Sequence, residues 1–205
     1  MVLPRARPTG CTQSSMKIGK NGWLYPGPNI RRCPSPNFNT RPDSSDITLL
    51  VIHNISLPPG EFGTPYVRDL FLNQIDLQAH PWFECLAGLK VSAHFLITRS
   101  GKVTQFVSCN ERAWHAGVSL FEGREQCNDF SIGIELEGTD QAPYTRRQYD
   151  ALAKLTASLR AKYPLQAVRG HCHIAPDRKT DPGDSFSWTR YARMAGWSSN
   201  ALPPG

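Results

Sequence analysis

Apolar runs bounded by turn residues divide the chain into predicted strands. The run Thr48–His53 is apolar and β-branched up to its final histidine, which is typical of a buried central strand with a polar end. Segments 91–98 and 103–107 flank the sequence Arg-Ser-Gly-Lys, a good signature of a β-hairpin. These patterns predict several strands of one sheet.

The segment 130–138 alternates regularly between two kinds of residue. One face carries Ile132, Ile134 and Leu136, and the other carries Gly133, Glu135 and Glu137, so one face is apolar and the other bears two carboxylates. Because Gly133 has no side chain, the pattern predicts open space beside Glu135. Both glutamates could instead lie on the surface of an edge strand, and for Glu137 the surface position is the preferred interpretation.

Helical periodicity is clearest between Tyr144 and Tyr163. Thr145 and Gln148 form a capping-box pair at its start, and Pro164 ends it. A shorter helix is predicted after Thr64-Pro65, which reads as an N-cap followed by proline at the first helical position. Four apolar residues continue it at helical spacing, namely Val67, Leu70, Phe71 and Ile75.

These elements predict an α/β fold of mixed, α+β-like character, with a central mixed β-sheet flanked by helices. A chain of 205 residues has the usual size of one domain. We expect residues 1–20 to be a disordered or appended tail, residues 21–197 to form the domain, and residues 198–205 to be a flexible C-terminal tail. Met16 is an alternative start of the native chain.

Composition and charge exclude several classes of protein. No apolar run approaches the ~20 residues that cross a bilayer, and residues 1–20 contain no apolar core of a secretory signal, so a cytoplasmic location is expected. The six cysteines form no C-x-x-C pair, which favours reduced thiols over disulfides. The net charge of +6 arises without a run of Lys or Arg, which argues against nucleic acid as a partner and is compatible with a small anionic substrate. Nothing in the sequence requires more than a monomer.

Two of the six histidines stand out by position. His53 ends the predicted central strand, where a side chain can enter a cleft at the edge of the sheet, although a hydrogen-bonded core histidine is an equally good interpretation. His171 lies close to Asp181, and the proline after Asp181 favours an extended or turn conformation that projects the carboxylate. Two imidazoles and one carboxylate would bind one Zn²⁺ ion and leave its fourth tetrahedral position for water. His53 precedes His171 by 118 positions, and one distant ligand combined with a nearby pair is a common layout of catalytic metal sites. Spacing alone does not establish a metal site.

Glu135 and Lys179 are the candidate catalytic groups. A carboxylate near a zinc-bound water could take its proton as the water attacks, and a cation could stabilise the oxyanion of a tetrahedral intermediate. Lys179 precedes Asp181 by two residues, so an extended chain would point both side chains the same way. A solvated lysine beside Arg178 is the alternative. A cysteine hydrolase built on Cys172 and His173 is disfavoured, because adjacent residues on an extended chain point in opposite directions.

The chain resembles the zinc amidase family that also includes phage lysozyme-like amidases and peptidoglycan recognition proteins. The resemblance extends in order from about Cys33 to Tyr191, and it rests on segments such as Val-Ile-His-Asn-Ile-Ser, Arg-Ala-Trp-His-Ala-Gly and Gly-His-Cys-His-Ile-Ala-Pro-Asp-Arg-Lys-Thr-Asp-Pro-Gly. The complete set of matching segments covers residues 51–62, 91–97, 112–119, 127–140 and 170–183.

This resemblance implies a fold of the amidase and peptidoglycan-recognition type and a function. The implied function is zinc-dependent hydrolysis of the amide bond between 1,6-anhydro-N-acetylmuramic acid and L-alanine in anhydro-muropeptides, for peptidoglycan recycling. It implies His53, His171 and Asp181 as ligands of one Zn²⁺ ion, Glu135 as base and Lys179 as a transition-state stabiliser. We expect substrate contacts from Asn54, Trp114, His115 and Arg124. A module that binds peptidoglycan without cutting it is the alternative, and such relatives typically lack part of the zinc set.

Overall fold

The computed structural model describes residues 16–204. In this part of the chain the strands are β1 (Ile30–Arg32), β2 (Phe38–Thr40), β3 (Leu49–Ile55), β4 (Phe95–Ile97), β5 (Val103–Gln105), β6 (Glu111–Ala113), β7 (Leu120–Phe121), β8 (Arg124–Glu125), β9 (Ser131–Glu137) and β10 (Ala167–Gly170). The α-helices are α1 (Tyr66–Phe71), α2 (Arg146–Arg160), α3 (His171–Ile174) and α4 (Trp188–Ala195). Turns of 3-10 helix occupy Pro81–Leu86, Cys127–Asp129 and Ser199–Ala201. None of the helices in residues 16–204 has the length and apolar character that crossing a membrane requires.

Six strands form the central sheet in the order β1-β5-β4-β9-β3-β10. The predicted hairpin is the antiparallel pair β4 and β5, and every other neighbouring pair of this sheet is parallel. The predicted mixed sheet with flanking helices is therefore confirmed. The strand predicted at residues 48–53 is β3, and it lies between β9 and β10 in the interior of the sheet.

One face of the sheet packs on the long helix α2 and on α4. The aliphatic even positions of β3 and β9, such as Leu50 and Ile134, join Leu152 and Leu155 of α2 in one buried cluster. The predicted capping box is present, because the Thr145 hydroxyl accepts from the backbone N–H of Gln148 and the Gln148 side chain accepts from Thr145. Burial of each such leucine contributes about 1.5–3 kcal/mol, so this face anchors the fold.

The other face of the sheet carries the polar odd positions. Glu137 was expected at the surface, and this expectation is wrong: β9 is a central strand, and the Glu137 carboxylate is buried and accepts hydrogen bonds from the backbone N–H groups of Gly63 and Arg99. Alternation alone could not show that both faces of β9 are covered. The helix after Pro65 is also shorter than predicted, since α1 ends at Phe71.

The described residues include parts of both expected tails, and these parts make contacts with the domain. Met16 and Ile18 pack against the helix-side core, and Ile18 forms an antiparallel bridge with Leu24. At the other end, Ala201 is buried and its carbonyl accepts from Arg169. These segments are too short to show periodicity, so their burial depends on contacts with distant parts of the chain. The rest of the expected N-terminal tail, residues 1–15, lies outside the described residues.

Candidate metal centre and active site

Three neighbouring strands of the sheet bring the candidate residues together. His53 on β3 is paired in register with Glu135 on β9, so the two side chains leave the same face of the sheet. On the other side of β3, Gly170 of β10 is paired with Ile52, and His171 follows directly. The strands are parallel, so their carboxyl ends meet at one edge. This topology joins residues that are 118 positions apart in the chain.

His53, His171 and Asp181 form a triangle of potential ligand atoms. The Nδ1 atoms of His53 and His171 lie 3.0 Å apart, and Asp181 Oδ2 lies 3.0 Å from the first and 3.2 Å from the second. Each of the three offers one nitrogen or oxygen atom, and together they form a group that could hold a metal ion. The residues singled out from the sequence therefore converge.

The hydrogen bond of His171 Nε2 determines whether His171 Nδ1 has a free lone pair. His171 Nε2 lies 3.0 Å from the carbonyl oxygen of Ala116, which can only accept, so Nε2 carries the proton. In neutral His171 the lone pair of Nδ1 then points at the Asp181 carboxylate, and two electron-rich atoms 3.2 Å apart need a positive charge between them. A single proton bridges two atoms, whereas a metal ion satisfies all three at once.

Burial and hydrogen bonding keep His53 and Asp181 in the ionisation states that metal ligands require. Burial lowers the pKa of His53 to about 4, so its imidazole is neutral near pH 7. Burial acts to raise the pKa of Asp181, but hydrogen bonds with His171 and His53 outweigh it and hold the pKa below its usual value. Neutral imidazole and ionised carboxylate are the forms that bind a metal ion.

The residues present fit zinc. Nitrogen and oxygen donors about 2.0–2.1 Å from Zn²⁺ at tetrahedral corners lie roughly 3.3 Å from one another, close to the observed sides of 3.0–3.2 Å. Three protein donors leave one corner for water or substrate, as in catalytic rather than structural zinc sites.

Glu135 is buried beside this triangle. The residue is 8% exposed, and its buried Oε2 atom has no hydrogen-bond partner among residues 16–204. Burial raises the pKa of Glu135 well above its usual value, Asp181 raises it further, and Lys179 opposes the shift. A buried carboxylate with an unused acceptor is costly to the fold, which is typical of groups retained for chemistry.

A cavity with a volume of about 1040 Å³ opens over the triangle. Glu135, Lys179, Asn54, Trp114 and His115 line it, so these five expected residues share one space. Asn54 donates to Asp140 at 2.8 Å, and the Trp114 indole N–H donates to Asn39 at 2.7 Å, which fixes both side chains in the wall.

His115 and Arg124 were also expected to contact substrate. His115 lines the cavity but is only 9% exposed, and its Nδ1 atom lies 3.0 Å from His53 Nε2. Its ring also fills the space beside Gly133 that the sequence suggested was open, because a Cβ at Gly133 would overlap the ring. Arg124 is not among the cavity residues; it pairs with Asp46 and lies over the Phe130 ring.

Sequence reasoning missed several residues around the site. Arg178 was named only as a neighbour of Lys179. Its guanidinium donates to the carbonyl oxygens of Ala116 and Val118, and so holds in place the Ala116 oxygen that accepts from His171. An apolar arm of the cavity carries one further cation, Lys90. These roles depend on contacts between distant segments, and the sequence contains no local signal for them.

The expected extended conformation of Cys172 and His173 is wrong. Cys172 and His173 lie in the short helix α3 instead of an extended segment, and the thiol is 3.4 Å from His173 Nδ1. Burial nevertheless raises the pKa of Cys172 to about 11, so the thiol stays protonated and is a poor nucleophile.

A buried carboxylate next to three converging donors, at the base of a cavity, is an arrangement that metal-dependent hydrolases use. The comparisons identify the family of hydrolases. The N-acetylmuramoyl-L-alanine amidase family model, Amidase_2, matches residues 43–184. The chain is 56% identical over 181 residues to the 1,6-anhydro-N-acetylmuramyl-L-alanine amidase AmpD of Salmonella typhimurium, covering 87% of this chain and 95% of that protein. The chain belongs to the N-acetylmuramoyl-L-alanine amidase family.

Solved structures agree with this assignment. The crystal structure of a selenomethionine AmpD derivative is 54% identical, superposes with a TM-score of 0.83, and the match covers 87% of this chain and 99% of that chain. The Escherichia coli amidase AmiD, solved as a complex with the substrate anhydro-N-acetylmuramic acid-L-Ala-D-γ-Glu-L-Lys, is 28% identical with a TM-score of 0.54 over 86% of this chain and 65% of that chain. The predicted amidase-type fold is confirmed.

Proposed function

We propose that this protein is a zinc-dependent amidase that hydrolyses the bond between 1,6-anhydro-N-acetylmuramic acid and L-alanine in anhydro-muropeptides. The observation that carries the proposal is the triangle of His53, His171 and Asp181 beside the unpartnered carboxylate of Glu135. The names of the AmpD relatives and the substrate bound to AmiD supply the bond and the substrate class.

His53, His171 and Asp181 would hold one Zn²⁺ ion, which supplies Lewis acidity that polarises the scissile carbonyl and lowers the pKa of water. The carboxylate of Glu135 takes a proton from the attacking water and returns it to the departing amine of L-alanine. Its raised pKa favours the second half of this task, because a carboxyl group that binds protons readily is a suitable acid when the bond breaks.

Lys179 stabilises the negative charge that develops on the carbonyl oxygen. It lines the same cavity as Glu135, and its charge acts on both Glu135 and His53. An ammonium in a site partly shielded from water stabilises the transition state more than the same charge in bulk solvent. Asn54 and Trp114, both held in the cavity wall, are the proposed contacts to the muropeptide.

The biological setting follows from the family resemblance. An enzyme for anhydro-muropeptides would act in cytoplasmic recycling of peptidoglycan fragments, and it would need no nucleic acid and no membrane span. A monomeric state and the substrate contact of Arg124 stay predictions of the same kind. The exclusion of Arg124 from the cavity lining gives its contact no support.

The decisive experiment combines metal content with product identity. Purified protein is expected to contain about one zinc per chain and to release L-alanyl peptide and 1,6-anhydro-N-acetylmuramic acid, as identified by mass spectrometry. Removal of the metal with a chelator is expected to abolish release, and added zinc to restore it. Full activity in metal-free protein would contradict the proposal, and binding of the muropeptide without cleavage would favour a recognition module.

A further inference from the structure

The far nitrogens of the two candidate histidine ligands are held by adjacent residues. His53 Nε2 lies 3.0 Å from His115 Nδ1, and His171 Nε2 lies 3.0 Å from the carbonyl oxygen of Ala116. The side-chain oxygen of Asn128 accepts from the backbone N–H groups of both His115 and Ala116, at 3.1 and 2.8 Å. The dipeptide 115–116 is thus fixed as a unit behind the site.

The hydrogen-bond pattern around His115 has a consistent direction. If His53 offers the lone pair of Nδ1 to a metal ion, its proton is on Nε2 and is donated to His115 Nδ1. The proton of neutral His115 is then on Nε2, which lies 3.2 Å from the Ser131 hydroxyl oxygen, an acceptor.

The surrounding backbone is shaped to admit this ring. Gly133 faces His115 on β9, and a side chain there would overlap the imidazole. The two rings of His53 and His115 meet edge to face, with centroids 5.1 Å apart and an interplanar angle of 81°. Such an arrangement directs one nitrogen of His115 at His53 and leaves little of the ring to meet a substrate.

We propose that His115 is a positioning residue that fixes the tautomer and orientation of His53 for zinc, instead of a residue that contacts substrate. This inference rests on the proposed function. Partners of this kind raise the basicity of a ligand histidine, and their removal typically costs 10–100-fold in metal affinity.

Two substitutions separate the hydrogen bond from the volume of the ring. His115→Leu fills the space but has no acceptor, and zinc affinity measured against a competing chelator is expected to fall 10–100-fold. His115→Asn places an amide oxygen near the position of Nδ1, and it is expected to restore most of that affinity. Leu152→Ala, on the opposite face of the sheet, is the control for lost stability alone and is expected to bind zinc as the wild type does.

Nuclear magnetic resonance of the zinc-loaded protein supplies a readout independent of activity. Long-range ¹H–¹⁵N spectra are expected to show a hydrogen-bonded proton on His53 Nε2 in the wild type and His115→Asn, and a shifted, weakly bonded one in His115→Leu. Unchanged zinc affinity in His115→Leu, or loss of affinity in His115→Asn equal to that in His115→Leu, would overturn the inference and leave the proposed function intact. A wild-type protein that binds no zinc would overturn both.

Discussion

The two faces of the central sheet are both buried, but one forms the apolar core and the other carries the residues of the site. On the helix side, the aliphatic residues of β3 and β9 meet α2 in one apolar cluster that includes Leu50, Ile52 and Ile134. On the other side, Leu49 and Val51 are apolar, but the next residue in that row is His53, and its partner on β9 is Glu135. The same strands therefore change from core to active site within one face.

This difference shows how the fold tolerates buried polar groups. His53 is bonded to His115, His115 to Ser131, and Glu137 to two backbone N–H groups, so most of the polar face is satisfied internally. The Oε2 atom of Glu135, in contrast, has no hydrogen-bond partner in the described part of the chain. The cost of that unsatisfied carboxylate is offset by the apolar packing on the opposite side.

Replacement of the unpartnered carboxylate is expected to have the largest effect on activity. Glu135→Gln should lower turnover of an anhydro-muropeptide by about 10²–10⁴-fold while zinc stays bound, because only the proton acceptor is lost. The measurement is kcat by product release together with metal content. Glu125→Gln, an exposed carboxylate on β8, is the matched control. Near-normal turnover in Glu135→Gln would exclude the residue as the base.

A substitution that creates a cavity on the helix side is expected to lower stability and leave turnover unchanged. Leu152→Ala removes a fully buried side chain from α2 and should reduce the free energy of unfolding by about 2–5 kcal/mol. Turnover per folded molecule should be unchanged, because the sheet separates Leu152 from the cavity. Denaturant unfolding and kcat at a temperature where the variant is folded would test this. A loss of kcat larger than the loss of folded protein would show that the two faces are coupled.

The polar face is expected to make stability sensitive to acid. Burial lowers the pKa of His94 and His115. Below about pH 6.5, these two histidines therefore bind protons in the unfolded chain but stay neutral in the folded chain. Stability is therefore fully present above pH 6.5 and falls as the pH decreases, by about 1.4 kcal/mol per pH unit for each histidine.

The raised pKa of Glu135 has the opposite sign, because the folded carboxyl group retains its proton as the pH rises above the value of the unfolded chain. Unfolding of metal-free Glu135→Gln between pH 7.5 and 5.5 isolates the histidines. Stability that does not change over this range would contradict the assignment of neutral buried imidazoles. At neutral pH, the same variant should be more stable than the metal-free wild type.

The smallest expected effect concerns the cap of α2. Thr145→Ala removes the hydroxyl that accepts from Gln148 and should cost about 1 kcal/mol of stability without changing turnover. Thr145→Ser keeps the acceptor and should retain most of the stability. Equal unfolding midpoints for wild type and Thr145→Ala would show that the capping box contributes nothing measurable.

Local patterns in the sequence determined the elements that frame the site. The β-branched run of β3, the alternation of β9 and the capping box of α2 are set by side chains close together in the chain, so they could be predicted. Composition could not show that β9 is covered on both sides, and Glu137 was misplaced for that reason. The packing of residues 16–18 and 201 was equally invisible, because it depends on contacts with distant segments.

By itself, the sequence determined which residue types were available for chemistry: two histidines, two acids and a lysine in motifs that resemble an amidase family. The tertiary structure alone decided their geometry. It set His53 opposite Glu135, brought Asp181 within 3.0 Å of His53, and placed His115 against the far nitrogen of His53. The physical reason is that strand register and hydrogen-bond direction depend on segments far apart in the chain, which no local pattern encodes.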